Sequence, residues 1–187
     1  LFILGICLLL TSCFEITEKI KHNSNQSGDY SLVIDFSNSW LKTKSAILLE
    51  EVDGVSIPNE EDIKSKLAQF RADASKIKGT SKISTSYDFN TYVFKINFSY
   101  NSIETLNAVL NTIDKKNSLV HFKNNNGRFE RIASYPLPKD LAKKEDKKED
   151  LLKANITAVY TFDKDVATVQ NPNSKLSKSK KTVFLKQ

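Results

Sequence analysis

Several residue types on which catalytic and metal sites depend are scarce in this sequence. The 187 residues include two cysteines, two histidines, five glycines and no methionine. Two cysteines exclude a disulfide-stapled miniprotein, and two histidines are too few for a typical zinc hydrolase. Neither a G-x-S-x-G motif nor a phosphate-binding loop is present. The sequence therefore predicts no catalytic residue, no metal ligand and no cofactor.

Positive charge is concentrated near the C-terminal end of the chain. The formal net charge is +6, and residues 171–187 contain five lysines and no acidic residue. The other residues together carry about +1, which is six minus five, so they form no broad basic surface. Lysine also greatly outnumbers arginine, although the guanidinium group is the better phosphate ligand. Nucleic acid is therefore not an expected partner.

The chain begins with an apolar segment, because residues 1–10 contain no polar side chain. A membrane-spanning helix needs about 20 such residues, whereas a shorter apolar core is typical of signal peptides. Neither a methionine nor basic residues precede this core, so we expect the sequence to start a few residues inside the natural one. We predict a signal peptide over residues 1–12, truncated at its N-terminus. The alternative is a buried N-terminal strand or helix of a cytosolic domain.

A short motif follows the apolar core. Leu10-Thr11-Ser12-Cys13 resembles the lipobox of bacterial lipoprotein precursors, in which an aliphatic residue and two small residues precede a cysteine. In that family the cysteine sulfur is alkylated with diacylglycerol, and the signal peptide is cut immediately before it. The resemblance implies that Cys13 is lipidated and attaches the protein to a membrane of the bacterial cell envelope. We expect the outer membrane, on either its periplasmic side or its surface.

The composition changes abruptly after Cys13. Residues 15–29 are polar and rich in Asn and Ser, which is typical of a flexible linker. We therefore predict a lipid-anchored polar linker over residues 13–28 and a single folded domain over residues 29–187.

Hydrophobic periodicity in the remaining chain predicts a single α+β domain, with a largely antiparallel sheet and helices packed on one face. Asn59 and Ser102 are the expected helix caps, and Asn126-Gly127 is the expected hairpin turn. The charge-rich segment 139–150 is interpreted as a solvated helix face or a mobile excursion. The expected helices cover residues 44–52, 59–75 and 102–113. The expected strands cover residues 30–36, 77–87, 91–100, 119–122, 128–134, 155–162, 166–171 and 182–186.

Two segments carry a second resemblance. The pattern Val166-x-x-Val169-x-Asn171, followed by Ser177 and Lys181-Thr182-Val183-Phe184, is similar to the end of the LppM-like domain of bacterial lipoproteins. The segment Phe98-Ser-Tyr-x-Ser102-x-x-x-Leu106-Asn107-x-x-Leu110 resembles a recurrent piece of uncharacterised flavobacterial lipoproteins. These resemblances imply an α+β envelope domain without known catalytic residues, and a role in binding lipid or glycolipid.

The titratable residues offer few candidate sites. His22 falls in the expected linker, and His121 lies in an expected strand, where a structural role is the simpler interpretation. Asp163 and Asp165 are interpreted as turn formers. Trp40 is expected in an exposed loop. Two further acidic clusters are Glu50-Glu51-Asp53 and Glu60-Glu61-Asp62. The second is interpreted as a complement to the dipole of the helix that it begins.

Three functional hypotheses remain open. The first is a non-enzymatic binding module for a lipid, glycan or protein, held at the membrane by Cys13. The second is a carboxylate-dependent hydrolase of envelope polymers, which needs two facing acids in a cleft. The third is a structural subunit of an envelope assembly. The lysines of residues 175–181 either contact an anionic membrane or simply solvate a loop.

Overall fold

The computed structural model describes residues 14–49, 51–52, 55–114, 119–132 and 155–186. Within these residues the helices are α1 (Trp40–Leu49), α2 (Glu60–Ser75) and α3 (Ile103–Asp114), and a 3₁₀ turn at Ser37–Ser39 precedes α1. The strands are β1 (Glu15–His22), β2 (Gly28–Asp35), β3 (Glu51–Val52), β4 (Val55–Ser56), β5 (Thr80–Asp88), β6 (Val93–Tyr100), β7 (Phe122–Asn125), β8 (Arg128–Arg131), β9 (Asn155–Phe162), β10 (Ser174–Leu176) and β11 (Thr182–Lys186). The predicted signal peptide, Cys13 and the charge-rich segment 139–150 lie outside the described residues.

Seven strands form one sheet in the order β10-β11-β9-β1-β2-β6-β5. β1 pairs in parallel with β9, and the other neighbouring strands of this sheet pair antiparallel. Helices α2 and α3 pack on one face, where Phe70 and Leu106 join Ile20, Tyr30 and Phe98 in the core. The predicted α+β class, with a largely antiparallel sheet and helices on one face, is confirmed.

The predicted linker over residues 13–28 is wrong, because β1 lies at the centre of the sheet. β1 pairs with β2 on one side and with β9 on the other, over eight residues each. Its alternate residues Glu18, Ile20 and His22 are buried. The strand looks like linker in the sequence because two of these three buried residues are polar. The folded domain therefore begins at or before Glu15, and not at residue 29.

The helix starts follow the predicted capping chemistry. The Asn59 side chain accepts a hydrogen bond from the Asp62 backbone N–H, and the Asp62 side chain accepts one from the Asn59 backbone N–H. These reciprocal bonds form a capping box that satisfies donors at the start of α2. Ser102 Oγ accepts from the Thr105 backbone N–H, 3.2 Å away, at the start of α3. Both predicted caps are confirmed.

The predictions of hairpins and strands that depend on short sequence patterns are confirmed. β5 and β6 form the predicted hairpin, and β7 and β8 are joined through Asn126 and Gly127. These two turn residues have φ values of 52° and 80°, as a two-residue turn of this kind requires. The strands predicted at 155–162 and 182–186 are also present.

Several local predictions are wrong. The strand expected over residues 119–122 begins only at Phe122 and runs to Asn125. Residues 166–171 form no strand, and β10 lies instead within the predicted loop 172–181, paired with β11. A new strand needs a free sheet edge, and β10 takes the free edge of β11. Trp40 is exposed as predicted but begins α1 rather than lying in a loop. The helix predicted at 44–52 ends at Leu49, and residues 51–52 belong to β3.

Candidate functional site

Among the described residues, no helix packs on the centre of the sheet face opposite α2 and α3, which we call the open face. Its side chains form rows across the strands. Residues paired on neighbouring strands share a face, and successive residues of one strand alternate between faces. Because Ile20, Tyr30 and Phe98 face the helices, their sequence neighbours face the open side. The central open row contains Lys175, Phe184, Val159, Lys19, Ser31, Asn97 and Ser84, from β10 to β5.

A shallow depression of about 370 Å³ lies on this open face. Its lining combines residues of the central row with the next row, where Lys21, Asp29 and Ser99 are in register. Ser99 Oγ donates a hydrogen bond to Asp29 Oδ1, 2.6 Å away. The volume lies within the range of about 300–1,000 Å³ that is typical of small-ligand sites.

A β-bulge brings a third lysine to the depression. The register between β5 and β6 shifts between Ser81 and Ser84, and Lys82 in this interval has a φ of 50°. A bulge inserts extra residues into one strand and re-aims the side chains there. Lys82 consequently lines the same depression as Lys19 and Lys21.

The depression has a positive and hydrogen-bonding character. Its side chains include three lysines and one aspartate, which gives a local formal charge of +2. Hydroxyl and amide groups of Ser31, Asn97, Ser99 and Thr161 add donors and acceptors. Such a lining suits a ligand that carries both negative charge and hydroxyl groups.

A second polar cluster lies on the covered face and is largely enclosed. The Glu18 side chain is 0% exposed and pairs with the Arg131 guanidinium of β8, which is 18% exposed. Arg131 Nε and Nη2 each donate a hydrogen bond of 3.1 Å to this carboxylate. Tyr160 and Tyr30 donate two more through their hydroxyl groups, at 2.6 and 3.1 Å. The two carboxylate oxygens of Glu18 therefore accept four hydrogen bonds. Those from Arg131 hold the β7–β8 hairpin over the sheet.

His22 lies in the same layer as the Glu18 cluster. Its Nδ1 is 3.0 Å from the Tyr100 hydroxyl, and its Nε2 is 2.8 Å from Asn124 Nδ2. The ring packs against Phe129 with centroids 4.8 Å apart. Burial lowers the pKa of His22 below its usual value near 6.5, and the negative charge of Asp163 opposes this only in part. Nε2 therefore acts as an acceptor for the Asn124 amide, and the imidazole is neutral.

The low pKa of His22 predicts that the protein loses stability in mild acid. The unfolded chain binds a proton near pH 6.5, whereas the folded chain binds it only at lower pH. The free energy of unfolding therefore decreases as the pH falls from 7 to 5. Urea unfolding of the full chain at several pH values measures this slope, and the His22→Gln variant is expected to have a shallower one. An equal slope in both proteins would assign the acid sensitivity to other groups.

The other residues singled out in the sequence have local structural contacts. His121 is buried, and its Nε2 is 3.2 Å from Asn111 Oδ1. Asp163 accepts hydrogen bonds from the backbone N–H and hydroxyl of Ser24, and the backbone bond is the main cause of its lowered pKa. Within the described ranges, no cluster of three His, Cys, Asp or Glu residues could hold a metal ion.

Sequence reasoning missed Lys19 and Lys21 because it assigned them to a linker. A weak signal was present, since Ile16 and Ile20 alternate with Lys19 and Lys21 at the period of a strand. No family model, curated protein or solved structure matches the chain. In the part of the chain that the structure describes, no helix is both long and apolar enough to cross a membrane.

Proposed function

We propose that this protein is a membrane-anchored lipoprotein of the bacterial cell envelope, with a non-enzymatic domain that binds an anionic glycan. The lipobox resemblance at Leu10-Thr11-Ser12-Cys13 supports the anchor, with lipid on Cys13. The domain follows the anchor directly, because β1 begins at Glu15.

The observation that carries the proposal is the depression on the open face of the sheet. Lys19, Lys21 and Lys82 supply cationic donors for a carboxylate or phosphate of the ligand. The serine, threonine and asparagine side chains around them suit the hydroxyl groups of sugars. Phe184 is 44% exposed and pairs in register with Val159 at the rim, where it offers an apolar surface for a sugar ring.

The packing of the covered face favours a glycan over an acyl chain as ligand. Side chains of Ile20, Tyr30, Phe98 and Leu106 fill the layer between the sheet and the helices, and all four are buried. An acyl chain would need this space, since eight of the twelve residues that line the depression on the open face are Lys, Asp, Ser, Thr or Asn. The ligand is therefore expected to be polar.

Two observations favour binding over hydrolysis: the depression is lined by one carboxylate, Asp29, and three carboxylates elsewhere in the described residues do not suit proton donation. Glycosidases use two facing carboxyl groups, one of which must donate a proton. Glu18 is enclosed and paired with Arg131. Hydrogen bonds, led by those from the backbone of Asn90 and Ser24, lower the pKa of Asp88 and Asp163. The lowered pKa keeps Asp88 and Asp163 ionised at neutral pH, so neither suits the role of proton donor.

The proposal predicts that replacing Lys19 and Lys21 weakens binding of an acidic oligosaccharide. The full chain in detergent micelles is titrated calorimetrically with tetragalacturonate and with a neutral tetrasaccharide. The double variant Lys19→Gln/Lys21→Gln is expected to bind tetragalacturonate about tenfold more weakly, because each exposed charge pair contributes on the order of 0.2–1 kcal/mol. High salt should reduce wild-type affinity by screening the same charges.

The matched control is Lys66→Gln/Lys78→Gln, which removes two exposed lysines that do not line the depression. This variant should bind like the wild type. Equal affinity for the acidic and neutral sugars, or an equal loss in both lysine variants, would contradict binding at the open face.

A further inference from the structure

Helix α1 exposes an unusual amount of apolar surface. Trp40, Leu41, Leu48 and Leu49 are 48%, 61%, 74% and 69% exposed, whereas Ile47 is buried. Leu41 and Leu48 are seven residues apart and therefore lie on the same outward face, two turns from each other. Exposed leucines on one helix face, with an exposed tryptophan beside them, are typical of a surface that contacts a partner or a membrane.

The position of α1 in the fold indicates what covers this surface. Glu15 at the start of β1 pairs with Asp35 at the end of β2, and α1 follows β2 after the 3₁₀ turn. The rings of Phe14 and Phe36 stack with centroids 5.1 Å apart, which ties the chain next to Cys13 to the segment that leads into α1. The apolar helix therefore lies at the end of the sheet where the apolar segment 1–10 and Cys13 join the domain.

The charged residues within α1 are all basic, and the acidic cluster Glu50-Glu51-Asp53 begins only after the helix ends. The helix sequence WLKTKSAILL contains Lys42 and Lys44 and no acidic residue. Both lysines are exposed and flank the outward leucines. Apolar side chains lie on both sides of α1, with Ile47 buried and the leucines exposed. The contact with the bilayer is therefore assigned to the exposed leucines and to the long Lys42 and Lys44 side chains, which can reach the headgroups. Tryptophan is also favoured at this depth.

We infer that α1 is a membrane-contact helix, which lies in the headgroup region of an anionic bilayer beside the lipid anchor. This inference rests on the proposed lipidation of Cys13. With only Phe14 between Cys13 and β1, no tether holds the domain away from the membrane. The helix gives the short anchor a second point of contact and thereby fixes the orientation of the sheet.

This orientation removes the lysine-rich loop from the membrane. β9 runs parallel to β1, and β11 pairs antiparallel with β9, so Thr182 lies beside Thr161 near the end of β1 that carries His22. The preceding loop, residues 177–181, is therefore about 25 Å from the anchor, the length of eight strand residues. That distance exceeds the Debye length of about 10 Å. The loop is expected to solvate the far end of the domain.

The chain contains a single tryptophan, Trp40, which makes it a direct probe of α1. The protein is expressed in a bacterial host behind a complete lipoprotein signal peptide, labelled with a radioactive fatty acid, purified, and reconstituted into vesicles of phosphatidylcholine and phosphatidylglycerol. Tryptophan fluorescence of floated vesicles is compared with and without lipids brominated near the headgroup. We expect bromination to quench about half of the emission.

The variant Leu41→Ser/Leu48→Ser should reduce the quenching at least twofold without unfolding the protein, because both side chains are exposed in the folded domain. Leu176→Ser changes an exposed leucine at the opposite end of the sheet and should leave the quenching unchanged. Circular dichroism of each variant confirms that it is folded.

The outcomes separate the two proposals. If the wild type incorporates no more fatty acid than Cys13→Ala, the lipid anchor is wrong, and the inference on α1 falls with it. If the wild type is labelled but Trp40 is unquenched, the anchor stands and the membrane-contact helix is wrong. Shielding of Trp40 by a co-purified protein, without quenching by brominated lipid, would also overturn the inference in favour of a protein partner.

Discussion

A chain that starts at Gly28 is expected not to fold, although the residues that it lacks look like a polar linker. The truncation removes β1 and leaves the facing edges of β2 and β9 without their hydrogen-bond partner. It also removes Ile20 from the core and the Glu18 carboxylate that pairs with Arg131. Burial of one isoleucine contributes about 1.5–3 kcal/mol. The loss of Glu18 adds a smaller cost, because Arg131 loses its counter-charge but is partly exposed and can be hydrated. Sixteen register pairs are also lost, eight on each side of β1. Together these losses are comparable to the 5–15 kcal/mol of unfolding free energy that typically stabilises a domain.

The comparison is made by circular dichroism and thermal unfolding. A chain that starts at Phe14 retains β1 and serves as the matched control, since it also lacks the apolar segment and Cys13. We expect a cooperative transition for this control and none for the chain from Gly28. A cooperative transition at a similar temperature in both chains would mean that β1 is dispensable.

The second large effect is expected at the buried ion pair. Arg131→Met leaves the Glu18 carboxylate fully enclosed and without its counter-charge, and among the described residues its remaining side-chain donors are the hydroxyl groups of Tyr30 and Tyr160. Breaking a buried pair in this way costs about 3–5 kcal/mol of unfolding free energy, measured by urea denaturation. Glu18→Leu should cost less, because the exposed part of Arg131 can be hydrated.

The same hairpin supplies a matched control for this experiment. Arg128 forms an ion pair with Glu130, and its side chain is 62% exposed. Arg128→Met is therefore expected to change the unfolding free energy by less than about 1 kcal/mol. The double variant Glu18→Leu/Arg131→Met should be more stable than Arg131→Met alone, since no buried charge remains. Equal losses in Arg131→Met and Arg128→Met would show that the buried pair does not hold the hairpin.

The features that the sequence predicted well depend on interactions within a few residues. The capping box joins Asn59 to Asp62, three residues later, and the turn at Asn126-Gly127 needs only its own backbone angles. The hairpin of β5 and β6 and the strands at 155–162 and 182–186 follow from alternation within each segment. Local patterns of this kind determined the α+β class and most element positions.

Only the tertiary structure decided which strand lies at the centre of the sheet and where the candidate site forms. β1 pairs with β9, about 140 residues away in the chain. Glu18 occupies a buried position because Arg131, 113 residues away, supplies its counter-charge. A carboxylate without such a partner belongs in solvent, so polarity made β1 look like linker. Lys19, Lys21 and Lys82 meet only because strand order and a bulge bring them to one depression. The free energy that places these side chains comes from partners distant in the chain, which no local pattern encodes.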